Sequence, residues 1–329
     1  MNMTLKDYGW SHFFSSQLNV DELETHIPCR VIAVHRSGIV VTDADAEYRV
    51  ALGSSWYADA PETRPTVGDW LLLNTSKDRV ARLLKRKSLL KRLSAGVVAE
   101  VQLIAANIDT IFIVTSCNEE FNASRLERYL AVAGDSGAHA VVVLTKMDLV
   151  ADADAFVDRI RAISASVPVE LVNALDASTL EGTRTLCEAG QTVALIDSSG
   201  IGKSTLVNTL AGRVLQLMGG IREDDAHGRH TTTSRSLHRL EGGALLLDVP
   251  GMRELGLASL ERGVSELFND IESLTLRCRF SDCAHHSEPG CAVKAALESL
   301  VQHLSVIQQR LVHHLRFGHE RSKQVELLN

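Results

Sequence analysis

The sequence has no uninterrupted run of about 18 or more apolar residues, so no membrane-spanning helix is predicted. Its first residues, MNMTLKDYGWSHFF, lack the basic-then-apolar order of a secretory signal, which favours a cytosolic protein. Cysteine is sparse, and Cys29, Cys117 and Cys187 are scattered in apolar or ordinary surroundings. Nothing resembles a disulfide framework, so a small secreted scaffold is excluded. Internal repeats and low-complexity segments are not evident.

The chain also has no excess of positive charge, since its formal net charge is -7 at pH 7. This argues mildly against a nucleic-acid-binding protein. The charge is uneven, however, because the run RVARLLKRKSLLKR, residues 79–92, has seven basic residues and no acidic one. Such a run is either a plain solvated face or a patch that contacts a phosphate backbone, and the sequence leaves both interpretations open.

The 329 residues are enough for two or three domains. Residues 27–84 contain short alternating strands separated by turn signals, a pattern typical of a small barrel of the oligonucleotide-binding (OB) type. An SH3-like barrel fits the same pattern. From residue 108 onward, apolar strands alternate with amphipathic helices, which predicts a parallel, doubly wound α/β sheet. The predicted domains are an N-terminal arm and barrel, an α/β domain and a helical C-terminal domain, with boundaries 1–95, 96–258 and 259–329.

The stretch DSSGIGKST, residues 197–205, lies between an apolar run and a helical pattern, which is the setting of a phosphate-binding loop. Its glycines would let backbone N–H groups turn toward an anion at the helix N-terminus. Lys203 would reach the β- and γ-phosphates, and the Ser204 hydroxyl would ligate Mg²⁺. Asp197 stands where the pattern has its first glycine. Its carboxylate is therefore expected to weaken nucleotide binding.

The stretch VVVLTKMD indicates which nucleotide base the site binds. Asp148, at the end of a buried strand, could accept hydrogen bonds from the guanine N1–H and 2-amino groups, a pair of donors that adenine lacks. Lys146 would lay its aliphatic stem over the purine face. The usual guanine motif is N-K-x-D, and Thr145 replaces the Asn. By itself the stretch is more often an ordinary strand end, but beside a phosphate loop it favours guanine.

Two further stretches complete the pattern of a GTPase. LLLDVPGM contains D-x-P-G, in which Asp248 would hold Mg²⁺ through water and the Gly251 N–H could meet the γ-phosphate. GRHTTTS offers threonine hydroxyls, Thr232 first among them, that would complete the Mg²⁺ shell when GTP is bound. The base motif precedes the phosphate loop here, whereas the usual GTPase order begins with that loop. The sequence therefore predicts a circularly permuted GTPase.

The stretch CRFSDCAHHSEPGCAV predicts a metal site near the C-terminus. Cys278, Cys283, His285 and Cys291 have the spacing C-x₄-C-x-H-x₅-C, and three thiolates with one imidazole suit a closed, structural Zn²⁺ site. His286 is a competing imidazole. Reduced cysteines without a metal are the alternative.

Together, the permuted order and the stretches TKMD, SSGIGKST, GRHTTT, DVPGMRE and CRFSDCAHHSEPGCAV resemble the ribosome small subunit-dependent GTPase A (RsgA) family over nearly the whole chain. The resemblance implies an OB barrel, a permuted GTPase domain and a zinc domain. It also implies hydrolysis of GTP on the small ribosomal subunit late in its maturation, with ribosomal RNA as a partner of the basic run. The resemblance favours His285 over His286 as the histidine that binds zinc. The family lacks the water-orienting Gln where Met252 stands, and His230 is the candidate substitute.

The predicted nucleotide-binding residues are Thr145, Lys146, Met147, Asp148, Asn173, Ala174, Asp197, Ser198, Ser199, Gly200, Ile201, Gly202, Lys203, Ser204, Thr205, Asp248 and Gly251. The predicted catalytic residues are His230, Lys203 and Thr232, with Ser204 and Thr232 as Mg²⁺ ligands. The first hypothesis is a monomeric, cytosolic ribosome-assembly GTPase that binds GTP and GDP. The second is an RNA-binding module whose nucleotide binding and turnover are impaired by Asp197. The third is a P-loop kinase or ATPase, against which Asp148 argues.

Overall fold

The fold is seen in a computed structural model. It describes residues 3–35, 37–58, 60–93, 101–197, 201–212, 235–240, 242–248, 273–280, 283–285 and 288–300. The chain divides into two compact units, one formed by Met1–Phe121, Ser136–Ala151 and Pro168–Ser259 and the other by Asn122–Asp135, Asp152–Val167 and Leu260–Asn329. The division into three domains stays a prediction.

Thirteen strands are present in the described ranges. They are β1 (His26–His35), β2 (Gly38–Thr42), β3 (Glu47–Val50), β4 (Trp70–Asn74), β5 (Val80–Leu83), β6 (Leu89–Leu93), β7 (Val101–Ala106), β8 (Thr110–Ser116), β9 (His139–Thr145), β10 (Val169–Leu171), β11 (Thr192–Asp197), β12 (Arg235–Arg239) and β13 (Leu245–Asp248). Eleven of them form one sheet with the order β10-β9-β8-β11-β13-β12-β1-β2-β3, to which β4 and β5 are added beside β1. The strands β6 and β7 form a separate antiparallel pair.

The first five strands of that order are parallel to one another, which confirms the parallel sheet predicted from the apolar runs. Parallel strands are covered on both faces and therefore read as continuous hydrophobic sequence. In β8 every residue is buried, and in β11 only the last residue, Asp197, is not. The carboxyl ends of these parallel strands lie along one edge of the sheet, where ligands bind in open α/β sheets.

The N-terminal strands are antiparallel. β1 pairs with β2 in its second half and with β4 in its first half, and β3 follows β2 in a meander. A core of Cys29, Val31, Ile39, Val41, Val50, Leu71, Leu73 and Val80 packs between them. Closing these strands into a barrel requires a further pairing between β3 and β5. Among the described residues that pairing is not present, so the OB-type barrel stays a prediction.

The N-terminal strand β1 is joined directly to the parallel part of the sheet through β12. Ala33 and Val34 pair with β12, and the buried Arg30 reaches β11 by donating from Nη2 to the Thr192 hydroxyl at 3.0 Å. Arg30 also donates to the carbonyl of Tyr8, and burial lowers its pKa to about 10. Because Thr192 is the first residue of the strand that ends in the phosphate loop, the N-terminal strands help to hold that strand in place.

Eight α-helices are described: α1 (His12–Ser15), α2 (Val20–Thr25), α3 (Ser55–Ala58), α4 (Ala123–Ser136), α5 (Asp154–Ile163), α6 (Glu181–Thr185), α7 (Lys203–Ala211) and α8 (Ala292–Leu300). Short 3-10 helices cover Leu5–Tyr8, Pro61–Thr63, Met147–Leu149 and Ala177–Leu180. The helix α5 shows the expected amphipathic spacing, since Val157, Ile160 and Ile163 are buried. Within the described part of the chain, no helix is long and apolar enough to cross a membrane.

Candidate nucleotide site and metal centre

The phosphate loop runs from the end of β11 to the start of α7, as the sequence predicts. Gly202 is the N-cap of α7 with φ of 90°, a left-handed conformation that glycine adopts without strain. Lys203 is the first helical residue, and Ser204 and Thr205 follow it in the first turn. The first N–H groups of a helix have no partner within the helix, so a helix N-terminus is a suitable place to bind an anion. Ser198, Ser199 and Gly200 lie outside the described residues.

The helix α7 is fixed because one of its faces enters the core of the sheet. Leu206, Val207, Leu210 and Ala211 are buried, together with Ile201 of the loop. At its C-terminal end Gly212 adopts φ of 65°, a left-handed cap. The phosphate loop is therefore held at both of its ends, by β11 and by a buried helix.

Asp197 forms an ion pair with the lysine of its own loop. Its Oδ1 lies 3.4 Å from the Nζ of Lys203, and the two side chains are only 17% and 20% exposed. The carboxylate therefore neutralises the cation that is predicted to reach the β- and γ-phosphates. The sequence marks Asp197 as a departure close to the phosphates, but it does not show that Asp197 pairs directly with Lys203.

Thr145 connects the base motif with the phosphate loop. It is fully buried at the end of β9, and its hydroxyl lies 2.7 Å from the carbonyl oxygen of Ile201 and 3.1 Å from that of Thr115. The single hydroxyl proton can satisfy the nearer carbonyl. Replacement of the usual Asn by threonine thus leaves a hydrogen bond between the two motifs.

The residues that follow Thr145 turn sharply out of the sheet. Lys146 adopts φ of 60°, and a 3-10 helix from Met147 to Leu149 follows it. The Met147 N–H points toward the carbonyl of Val172 at 3.5 Å, which brings the TKMD loop beside the loop after β10. Asp148 is exposed, so its carboxylate is accessible to a ligand.

The loop after β10 contains Asn173 and Ala174 and presents an apolar side chain that the sequence reasoning missed. Leu175 is 81% exposed, and Leu149 of the neighbouring loop is 70% exposed. Leu149 is next to Asp148 in the sequence, and Leu175 lies in the loop that follows Val172, so exposed apolar side chains that would suit a purine face occur in both loops. The available signal was an apolar residue next to a strand end, which is weak, because single exposed leucines are common.

The remaining predicted nucleotide contacts are described only in part. The backbone of Asp248 lies at the end of β13, paired with Leu195 of β11, so it is next to the strand that enters the phosphate loop. His230, Thr232 and Gly251 lie outside the described residues.

The four predicted zinc ligands come together. Their ligand atoms all lie within 4.8 Å of one another, and the group could hold a metal ion. The Sγ atoms of Cys278 and Cys291 are 3.9 Å apart, and Nδ1 of His285 is 3.6 Å and 3.4 Å from them, respectively. A tetrahedral zinc with its usual bond lengths places two sulfurs about 3.8 Å apart and a sulfur and a nitrogen about 3.5 Å apart. The donor set and its spacing therefore fit zinc.

Backbone hydrogen bonds favour the thiolate form of Cys278. Desolvation raises the pKa of the Cys278 thiol, but hydrogen bonds from the backbone of Val293 and Ala292, at the start of α8, bring it below its ordinary value. Gly290, with φ of 78°, makes the turn before Cys291, and a Cβ there would lie 3.0 Å from the Arg279 side chain. His286 lies outside the described residues.

Comparisons with known proteins agree with this architecture. A family model described as RsgA GTPase matches residues 83–258. A relative from Vibrio vulnificus, named small ribosomal subunit biogenesis GTPase RsgA 2, is 47% identical over 296 residues, which cover 90% of this chain and 83% of the relative. A protein of that name from Listeria monocytogenes is 40% identical over 321 residues, 95% of this chain and 91% of the relative.

Two solved structures share the fold. YjeQ from Thermotoga maritima has a TM-score of 0.63 and 23% identity, with 90% of this chain and 98% of that chain covered. YloQ, described as a circularly permuted GTPase, has a TM-score of 0.59 and 22% identity, with 91% and 96% covered. The order of motifs along this chain is accordingly that of a circularly permuted GTPase fold.

Proposed function

This chain belongs to the RsgA GTPase family, and from that premise we propose that it hydrolyses GTP during biogenesis of the small ribosomal subunit. The observation that supports the proposal best is the adjacency of the two nucleotide motifs. The hydroxyl of Thr145, which begins TKMD, lies 2.7 Å from the carbonyl of Ile201 in the phosphate loop. Family membership does not favour the alternative of an RNA-binding module without turnover.

In the proposed site, Asp148 accepts hydrogen bonds from the guanine N1–H and 2-amino groups, and the aliphatic part of Lys146 covers one face of the base. Lys203 and the N–H groups of the first turn of α7 hold the phosphates. Ser204, in that first turn, and Thr232 are the proposed Mg²⁺ ligands, with Asp248 acting through water. When bound, Mg²⁺ would neutralise charge on the β- and γ-phosphate oxygens.

Hydrolysis by the free protein is expected to be slow and to be stimulated strongly by small ribosomal subunits. The reason is that Met252 stands where many GTPases have a water-orienting Gln, so His230 must be placed by the subunit. The measurement is turnover of GTP with and without purified small subunits, with ATP as the control nucleotide. His230→Ala should lose about a hundredfold or more of the stimulated rate and keep its affinity for GDP. Equal turnover by free and subunit-bound protein would contradict the proposal.

The basic run 79–92 is not a uniform RNA-facing surface. Arg86 is 11% exposed and makes two contacts of 2.7 Å with the buried carboxylate of Asp69. Arg82 pairs with Glu22 at 2.8 Å, and Lys87 lies 5.3 Å from the ring centre of Phe14. If the run 79–92 contacts a phosphate backbone, Arg86 is therefore not one of the contacts, because its side chain is used inside the fold.

Arg79 and Lys85 are exposed and are better candidates for RNA contact, whereas Lys87 is exposed but lies 3.9 Å from Asp109 and close to the Phe14 ring. Changing both to glutamate is expected to weaken subunit binding and to flatten its salt dependence by roughly one unit of slope per lost contact, with GTP affinity unchanged. Arg86→Glu is the comparison variant. It should lower the free energy of unfolding by about 3–5 kcal/mol, because two buried carboxylates would then face each other. Subunit titrations at several salt concentrations and thermal melts decide between these outcomes.

Zinc at Cys278, Cys283, His285 and Cys291 is proposed as a structural cofactor. The cytosolic location and the monomeric state that the sequence suggests stay predictions.

A further inference from the structure

We propose that Thr209 of α7 is a positioning residue of the nucleotide site, because its hydroxyl holds the loop after β10 against the helix that begins with Lys203. The inference rests on the proposed function, since it assigns Thr209 to the GTP site. In that site, the loop after β10 contributes base contacts at Asn173 and Ala174, and α7 contributes phosphate contacts.

The geometry of Thr209 distinguishes it from an ordinary helical threonine. In a helix, a threonine hydroxyl commonly bonds only to the carbonyl four residues earlier. Here Oγ1 lies 3.0 Å from that carbonyl, at Thr205, and closer, at 2.7 Å, to the carbonyl oxygen of Ala174. A hydroxyl has one proton, so the shorter distance assigns it to Ala174. Ala174 is only 8% exposed, and its carbonyl needs a partner.

The loop that carries Ala174 is held together by its own hydrogen bonds. The N–H of Leu175 donates to Asn173 Oδ1 at 3.0 Å, and the N–H of Asn173 donates to the Thr179 hydroxyl at 3.0 Å. The hydrogen bond to Ala174 therefore holds the whole loop in place relative to α7. Arg184 adds a second, weaker link between the loop and α7. One of its guanidinium nitrogens donates to the carbonyl of Ala177 at 2.9 Å, and the other donates to that of Thr209 at 3.3 Å.

The hydrogen bond between Thr209 and Ala174 sets the distance between the loop that contacts the base and the helix that contacts the phosphates. Thr209 lies six residues after Lys203, about 9 Å along the helix axis. Together with the hydrogen bond between Thr145 and Ile201, it connects base-contacting loops to phosphate-contacting elements at two points. A site whose ends are already spaced for the whole nucleotide avoids ordering costs on binding. The Thr209 hydroxyl is used between the carbonyls of Ala174 and Thr205, so it acts on affinity and not on the chemical step.

The experiment compares Thr209→Val, which keeps the shape and removes the hydroxyl, with Thr209→Ser, which restores it. The expected result for Thr209→Val is an increase of about tenfold in both the Kd for GDP and the KM for GTP. Subunit-stimulated kcat should stay within about twofold of wild type, and Thr209→Ser should return KM to the wild-type value. Ser88→Ala is the matched control. It loses a buried hydrogen bond, in which the Ser88 hydroxyl donates to the carbonyl of Ile108 at 2.6 Å, outside the proposed site, so it should lower Tm and leave KM unchanged.

Wild-type KM and Kd in Thr209→Val would overturn the inference, and so would a fall in kcat without a change in KM, as a purely structural role predicts. Failure of the proposed function looks different. In that case, wild-type protein would bind GDP no better than Lys203→Ala does, and both proposals would fall together.

Discussion

Replacing Asp197 by glycine is expected to tighten the binding of GTP by roughly tenfold to a thousandfold, about 1.4 to 4 kcal/mol. Asp197 pairs with Lys203 at 3.4 Å, and both side chains are mostly buried. GTP must either displace this carboxylate or bind beside it. At an effective dielectric constant near 20, two charges 4 Å apart interact by about 4 kcal/mol, which sets the upper end of the range.

The expected gain is larger for GTP than for GDP, because the γ-phosphate adds negative charge close to Lys203. Relief of backbone strain contributes nothing, since Asp197 is not among the described residues with positive φ. The measurement is titration with GDP and with a non-hydrolysable GTP analogue. Lys203→Ala should bind neither ligand tightly.

Asp197→Asn is the matched control, because it keeps the size of the side chain and removes its charge. If Asn tightens binding as much as Gly does, repulsion by the carboxylate is the cause. If only Gly tightens binding, the bulk of the side chain is the cause. Unchanged affinity in both variants would mean that the loop accommodates the aspartate and that its first glycine is dispensable.

The parallel sheet and the elements of the nucleotide site could be predicted from the sequence for a physical reason. Strands buried on both faces must be apolar throughout, so β8, β9 and β11 are visible as continuous runs. Because parallel strands end at one edge, the sequence alone predicts that Asp148 and Lys203 lie near each other. The hydrogen bond between Thr145 and Ile201 agrees with that expectation.

Contacts between distant parts of the chain could not be predicted in the same way. β12 has the polar sequence RSLHR, which has no strand-like pattern, and its pairing with β1 depends on residues about 200 positions away. The basic run illustrates the same limit, since Arg86 looks like its neighbours in sequence. Only the fold brings Asp69 to it. Likewise, the motif pattern marks Asp197 as a departure but does not show that Lys203 is its partner.

Purified protein is expected to contain one tightly bound zinc ion per chain, and loss of a ligand should unfold the C-terminal segment without disrupting the GTPase sheet. Cys283→Ala should abolish zinc binding, because the three remaining donors leave the tetrahedral shell open. Apparent free energies of structural zinc binding are about 10–16 kcal/mol, far more than a short helix such as α8 gains from its own hydrogen bonds. The sheet has its own buried core, so GDP binding should persist.

The ligand assignment is tested most sharply by the adjacent histidines. His285→Ala should lose zinc, because Nδ1 of His285 lies 3.4 Å and 3.6 Å from two cysteine sulfurs. His286→Ala should keep it, and so should Cys187→Ala, which removes a buried cysteine outside the cluster. Metal analysis of protein purified without chelators gives the stoichiometry, and protease resistance of the C-terminal segment reports its folding. The proposed cluster would be refuted by wild-type protein without zinc, or by retention of zinc in both Cys283→Ala and His285→Ala.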